Sequence, residues 1–219
     1  MDDERICEQC GAGFAPRREH ARFCSVPCRV AWNRDHMGDT AAGATALLWS
    51  ITAMSDTAER LPRARSWDRP RAFAVIGESV WWVTIVDATL VRHHQSAYDG
   101  AIARLTPARR RVIDDILAGL RFVRNRIGDE AGLAEFIETS PSGPGADRGR
   151  ITGWTWKPMP EPVLTSLGPR GRAWEMTRYR SYQAQLAGHT TGETFGQAVA
   201  FLQLAAASTS ITDISEHAS

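Results

Sequence analysis

Lysine is nearly missing from this chain: of its 26 basic residues, Lys157 is the sole ammonium and the other 25 are arginine. Such one-sidedness points to codon usage rather than to 25 separate needs for guanidinium, so arginine clusters carry less weight than usual. Excess charge is also lacking. Lys and Arg exceed Asp and Glu by only +1, which argues against a uniformly basic nucleic-acid binder. No apolar run reaches 18 residues, so no membrane span is expected, and the acidic start Met1-Asp-Asp-Glu-Arg5 is not a secretory signal. Phosphate-binding glycine loops, nucleophile elbows and internal repeats are absent, which leaves most nucleotide-hydrolysing and acyl-transfer classes without a motif. Cysteine is absent beyond residue 28. Four cysteines crowded at one end of a chain without an export signal imply a reducing, cytoplasmic setting and a metal site rather than two disulfides.

What is present begins with those cysteines. Cys7-x2-Cys10, thirteen residues, then Cys24-x3-Cys28 forms two knuckles, each able to turn both thiolates toward one ion. Four thiolates complete the tetrahedral shell of a structural Zn2+. A segment of this size buries too little for a core of its own, so the metal would supply its folding free energy. Gly11 suits the turn after the first knuckle, Phe14 and Phe23 offer a miniature core, and a short helix is expected from Cys28 through Trp32 and Arg34. The run Arg22-Phe23-Cys24-Ser25-x-x-Cys28-Arg29 resembles small bacterial treble-clef or ribbon fingers of the Phe-Cys-Ser type, a likeness spanning about 30 residues. Residues 16–34 hold Arg17, Arg18, Arg22, Arg29 and Arg34 against Glu19 alone, a net +4, and His20 adds a donor. That face suits phosphate contact. A finger that merely docks on a protein surface is the alternative.

Residues 36–43 read as a linker, 44–207 as a helical bundle and 208–219 as a polar, fraying tail. Leu47, Leu48, Ile51, Met54, Ala58 and Leu61 recur at helical spacing and predict a helix over 41–60. Pro62 and the arginine-rich run to Pro70 end it. From Arg71 to His94 the chain is apolar on nearly every face, which predicts the central helix. Thr106 and Pro107 mark the next helix start as N-cap and first residue, with Arg109, Arg110 and Arg111 placed against the helix dipole. One or two helical turns are expected over 131–138, and Ser140–Gly149 reads as a loop. Trp154 and Trp156 share one face of an extended strap, stiffened by Pro158, Pro160 and Pro162; anchoring to the core and ligand stacking are both open. Two further helices, over 172–187 and from a capping box at Thr190–Glu193, close the bundle. The fold class is thus mainly α: a 1–35 zinc finger followed by about five principal helices.

Two charges interrupt apolar stripes. Arg124 lies among Ile113, Ile116, Leu117, Leu120 and Ile127, and Asp87 lies between Val83 and Leu90. Opposite signs at the centres of neighbouring faces suggest a buried Asp87–Arg124 pair that fixes register. The sharper alternative has Asp87 orienting Arg124 toward a ligand phosphate. His93 and His94 sit near a helix end, where imidazoles meet free carbonyls. The arrangement Arg124-Asn125-x-x-x-Asp129 resembles the signature of the HEPN superfamily, compact helical bundles found in nucleases and toxins. That resemblance implies a dimer cleft in which the Arg and His of two protomers cleave RNA without metal. Asp129 stands where the motif has histidine, and a carboxylate cannot act as a cation at neutral pH. A non-catalytic zinc-finger protein is the leading expectation, binding nucleic acid or a nucleoprotein partner, with the bundle as effector or homodimerisation domain. A HEPN-type ribonuclease with Arg124, Asn125 and Asp129 at its site, and a structural protein-interaction module, are the alternatives.

Overall fold

The computed structural model describes residues 5–16, 21–37, 41–63, 68–127, 132–139, 153–165 and 167–216; the side chains of 33–37, 41–44 and 210–216 lie outside that description. The chain is 72% helical, with eight helices and two small two-stranded sheets among the described residues. In the N-terminal module, β1 (Arg5–Ile6) pairs antiparallel with β2 (Gly13–Phe14), and α1 (Val26–Met37) follows. Then come α2 (Ala41–Arg60), a 3-10 turn (Leu61–Arg63), α3 (Arg69–His93), α4 (Gln95–Ala103) and α5 (Pro107–Arg126). The chain closes with α6 (Leu133–Phe136), β3 (Ile137–Thr139), β4 (Trp154–Trp156), α7 (Pro169–Gln185) and α8 (Thr191–Glu216). The five long helices of the bundle, α2, α3, α5, α7 and α8, are the five expected from periodicity.

α3 is the axis. It touches α1, α2, α4, α5, α6 and α8, and Ile76, Val83, Val86 and Leu90 on it are fully buried. By length and composition α3 is apolar enough to cross a membrane, which a search for uninterrupted apolar runs does not reveal. Half of its most apolar window is buried inside the protein, where it packs on five bundle helices. Local signals set its ends: Asp68 accepts from the Arg71 amide, Pro70 stands in the first turn, and the His94 amide closes on the Leu90 carbonyl. Arg69 and Pro70, expected in a loop, therefore open the helix.

α5 and α7 make the most extensive helix pair. Gly119 is what permits it, since a Cβ there would lie 2.8 Å from Leu186 Cδ1 and 3.0 Å from Tyr182 Cα. The aromatic cluster beside this contact joins Phe122 to Tyr179, Tyr182 and Phe136, with ring centroids 5.5 to 6.2 Å apart. Ser181 Oγ donates to Asp115 at 2.7 Å and ties the same two helices.

The strap is a strand. β4 pairs with β3 in the register Ile137↔Trp156, Glu138↔Thr155 and Thr139↔Trp154. Helix was expected through residue 138, but after one turn the chain extends and uses its hydrogen bonds in this ribbon. Trp156 is wholly buried, donates from Nε1 to Thr194 Oγ1 at 3.2 Å and packs at a tilt against Phe195, so it anchors the strap. Tyr179 and Tyr182 hold the next residues, donating to the carbonyls of Met159 (3.0 Å) and Lys157 (2.5 Å). At α8 the capping box forms as read: the Glu193 amide donates to Thr190 Oγ1 at 3.2 Å, and the Thr190 amide donates to Glu193. The helix then continues to Glu216, eating into the stretch expected to fray.

Candidate metal centre and the charged positions of the bundle

The β1–β2 hairpin positions the first knuckle. The Cys7 amide donates to Ala12 O and the Gly11 amide to Cys7 O, both at 2.9 Å, and Gly11 adopts φ +71°, a conformation that favours glycine. The second knuckle is a helix start. Ser25 Oγ accepts from the Cys28 amide at 3.3 Å, capping α1 two residues earlier than expected, with Pro27 in its first turn. Folded this way, Cys7, Cys10, Cys24 and Cys28 place their sulfurs within 4.8 Å of one another, and all four are free thiols. Cys10 Sγ lies 3.7 Å and Cys28 Sγ 3.5 Å from Cys24 Sγ. Backbone amides, first that of Cys24, bring the Cys7 thiol down to about 6, while hydrogen bonding to Cys28 pushes the Cys24 thiol up to about 12. The protein alone thus favours a thiolate at one corner and resists a second beside it. A cation at the centre removes that opposition.

Phe23 and Trp32 form the finger's small core, with ring centroids 5.5 Å apart. Arg22 belongs to it. Its guanidinium lies 4.6 Å from the Trp32 ring centroid and pairs with Glu8 at 2.5 Å, joining the two knuckles. Arg22 is thus engaged within the module while its side chain stays 53% exposed. Arg29 on α1 is exposed. Arg17, Arg18, His20 and the Arg34 side chain lie outside the described residues. The module also exposes Ile6 (67%), Val26 (63%) and Val30 (55%), an apolar surface that charge counting along the sequence does not suggest.

In the bundle Asp87 is fully buried, and its partner is Arg121 rather than Arg124. Tyr98 OH adds a hydrogen bond to Asp87 Oδ1 at 3.2 Å, so the carboxylate joins α3, α4 and α5. Burial pushes the Asp87 carboxyl above its ordinary range, and Arg121 opposes the shift. Arg124 is half-buried, with its guanidinium 4.7 Å from the ring centroid of Trp81. The physical reason is the antiparallel register of α3 and α5. Advancing one turn along α5 from Arg121 retreats along α3 from Asp87 to Trp81, so Arg124 meets an indole, while Arg121 reaches in from the edge of the stripe.

Asn125 is exposed and donates to Glu175 Oε2 at 3.2 Å; the buried Glu175 also receives Arg178 at 3.1 Å. Arg124 and Asn125 thus turn to different helices, α3 and α7, and the third motif position, Asp129, lies outside the described residues. His93 Nδ1 is buried with no hydrogen-bond partner, and burial lowers its pKa, keeping the ring neutral. Arg109 donates to Gln197 at 2.8 Å and Arg110 pairs with Asp114 at 3.6 Å, so two of the three arginines at the α5 start have partners. Among the described residues the four cysteines form the group suited to a metal ion.

Fold and site together define a mainly helical protein with an N-terminal four-cysteine cluster that can hold a metal. Compared with protein-family models, with curated proteins and with solved structures, the chain matches none. Neither the HEPN resemblance nor the finger type therefore gains support beyond the residues that suggest it.

Proposed function

We propose that the protein is an intracellular zinc-finger binding protein, engaging nucleic acid or a nucleoprotein partner through its N-terminal module while the bundle serves as scaffold. The observation that carries this reading is the convergence of four thiols from two knuckles onto one point. A tetrahedral zinc site with Zn–S bonds of about 2.3 Å sets its sulfurs about 3.8 Å apart. Two of the six separations, 3.7 and 3.5 Å, are near that figure, and all six lie within 4.8 Å. Zinc then fixes a basic segment whose exposed Arg29 stands near the start of α1. A mobility-shift titration with short DNA and RNA duplexes tests the reading. Retention that weakens steeply with salt, and loses part of its salt slope on Arg29→Ala, supports it; no retention at low salt overturns the nucleic-acid part.

A second reading, a protein partner, is favoured by the exposed Ile6, Val26 and Val30 on the same module. Exposed apolar side chains suit protein contacts better than phosphate contacts. The ribonuclease reading is weaker, because Arg124 and Asn125 each serve a neighbouring helix.

A further inference from the structure

Away from the finger, a cavity of about 350 Å3 opens between the first turns of α3 and the β3–β4 ribbon. Its walls include Phe73, Ile137 and Trp154, with Phe73 and Trp154 in ring contact at 5.4 Å. Three charged residues line it: Arg69, Lys157 and Glu138. Lys157 is the chain's only lysine, in a sequence that elsewhere uses arginine for every cation. Its Nζ donates to the Ala134 carbonyl at 3.0 Å, which fixes the ammonium at the cavity wall and leaves further donors unused. Arg69 is exposed and, among the described residues, has no ion-pair partner.

Trp154 is only 5% exposed, yet its Nε1–H is buried without an acceptor. Buried indole donors ordinarily find one, as Trp156 does with Thr194 two residues on. Two cations and an aromatic wall around a cavity of ligand size describe an unfilled site. We propose that this cavity binds a small planar carboxylate, its ring against Phe73 and Trp154 and its carboxylate oxygens on Arg69 and Lys157. Two cations and Glu138 leave a lining charge of one positive unit, matched to a monoanion. Glu138 repels a phosphate dianion or a polyanionic strand, which separates this site from the finger's surface. The proposal does not depend on what the finger binds.

The test is an NMR titration of 15N-labelled full-length protein with 1-naphthoate, following the Trp154 indole resonance, assigned by its loss in Trp154→Phe. A saturable shift of that resonance is expected at millimolar probe. Arg69→Gln and Lys157→Gln should each weaken it about tenfold, the scale of one charge-assisted hydrogen bond. Arg71→Gln, on the same helix but not among the lining residues, should leave the affinity unchanged. Arg69 is exposed, so its substitution leaves the fold intact and keeps the result readable. Three outcomes would overturn the proposal: no saturable Trp154 shift, a shift that survives both substitutions, or equal binding of inorganic phosphate or 1-naphthylmethylamine.

Discussion

Replacing Arg121 by alanine should cost this protein far more than replacing Arg124. Asp87 is fully buried, and after the change only the Tyr98 hydroxyl, 3.2 Å away, would remain to solvate it. Removing one partner of a fully buried ion pair costs about 3–5 kcal/mol. Arg121 retains 35% of its side-chain exposure, so water recovers part of the loss and about 2–4 kcal/mol is the expected cost. Arg124→Ala removes a cation from the half-exposed ring of Trp81, worth about 0.5–1 kcal/mol. The pH dependence carries a second signature. Burial already raises the Asp87 carboxyl in the folded state, so protonation relieves the folded form more than the unfolded one. Stability from this group is full below its unfolded pKa and is lost as pH rises through the folded pKa. Without Arg121 the folded pKa rises further, so the deficit of Arg121→Ala against the parent should be greatest near neutrality and shrink as pH falls toward the carboxylate range. Urea denaturation followed by circular dichroism at several pH values measures both. Arg121→Met with Asp87→Leu should recover much of the loss. An Arg121→Ala cost within about 0.5 kcal/mol of zero, or one below that of Arg124→Ala, would refute the assignment of the pair.

Other expectations follow from single contacts. Gly119→Ala gains up to about 1 kcal/mol of helix propensity but forces a methyl onto the α7 backbone, for a net loss of about 1–3 kcal/mol in thermal or urea unfolding. A stabilised variant would mean that α5 and α7 are less tightly packed than described. Arg22→Ala should hasten zinc release to a chelator while leaving any nucleic-acid salt slope unchanged, because Arg22 bridges Glu8 and Trp32 inside the finger. A reduced slope with unaltered zinc retention would return Arg22 to the phosphate-contacting surface.

Much of the architecture was legible from local chemistry. Thr106, Pro107 and the Thr190–Glu193 box mark helix starts because caps depend only on adjacent residues. The Cys7–Cys28 spacing was legible for the same reason, since each knuckle is a local turn. What needed the third dimension was register between elements. The wheel places Arg124 at the centre of an apolar stripe, but only the antiparallel placement of α3 and α5 decides that Arg121 meets Asp87. β3 escaped notice because a strand of three residues has no periodicity, and its partner, β4, lies beyond Ser140–Gly149 in sequence. The cavity beside Trp154 is built from three separate stretches of chain, so no short window along the sequence contains it; the isolated Lys157 was its one visible trace.

Metal content tests the central claim most directly. Protein purified under reducing conditions, without added metal in the final steps, should carry one zinc per chain by elemental analysis, and Cys24→Ala should lose it while the bundle keeps its helical circular dichroism. A zinc content near zero, or two disulfides among Cys7, Cys10, Cys24 and Cys28, would contradict the account.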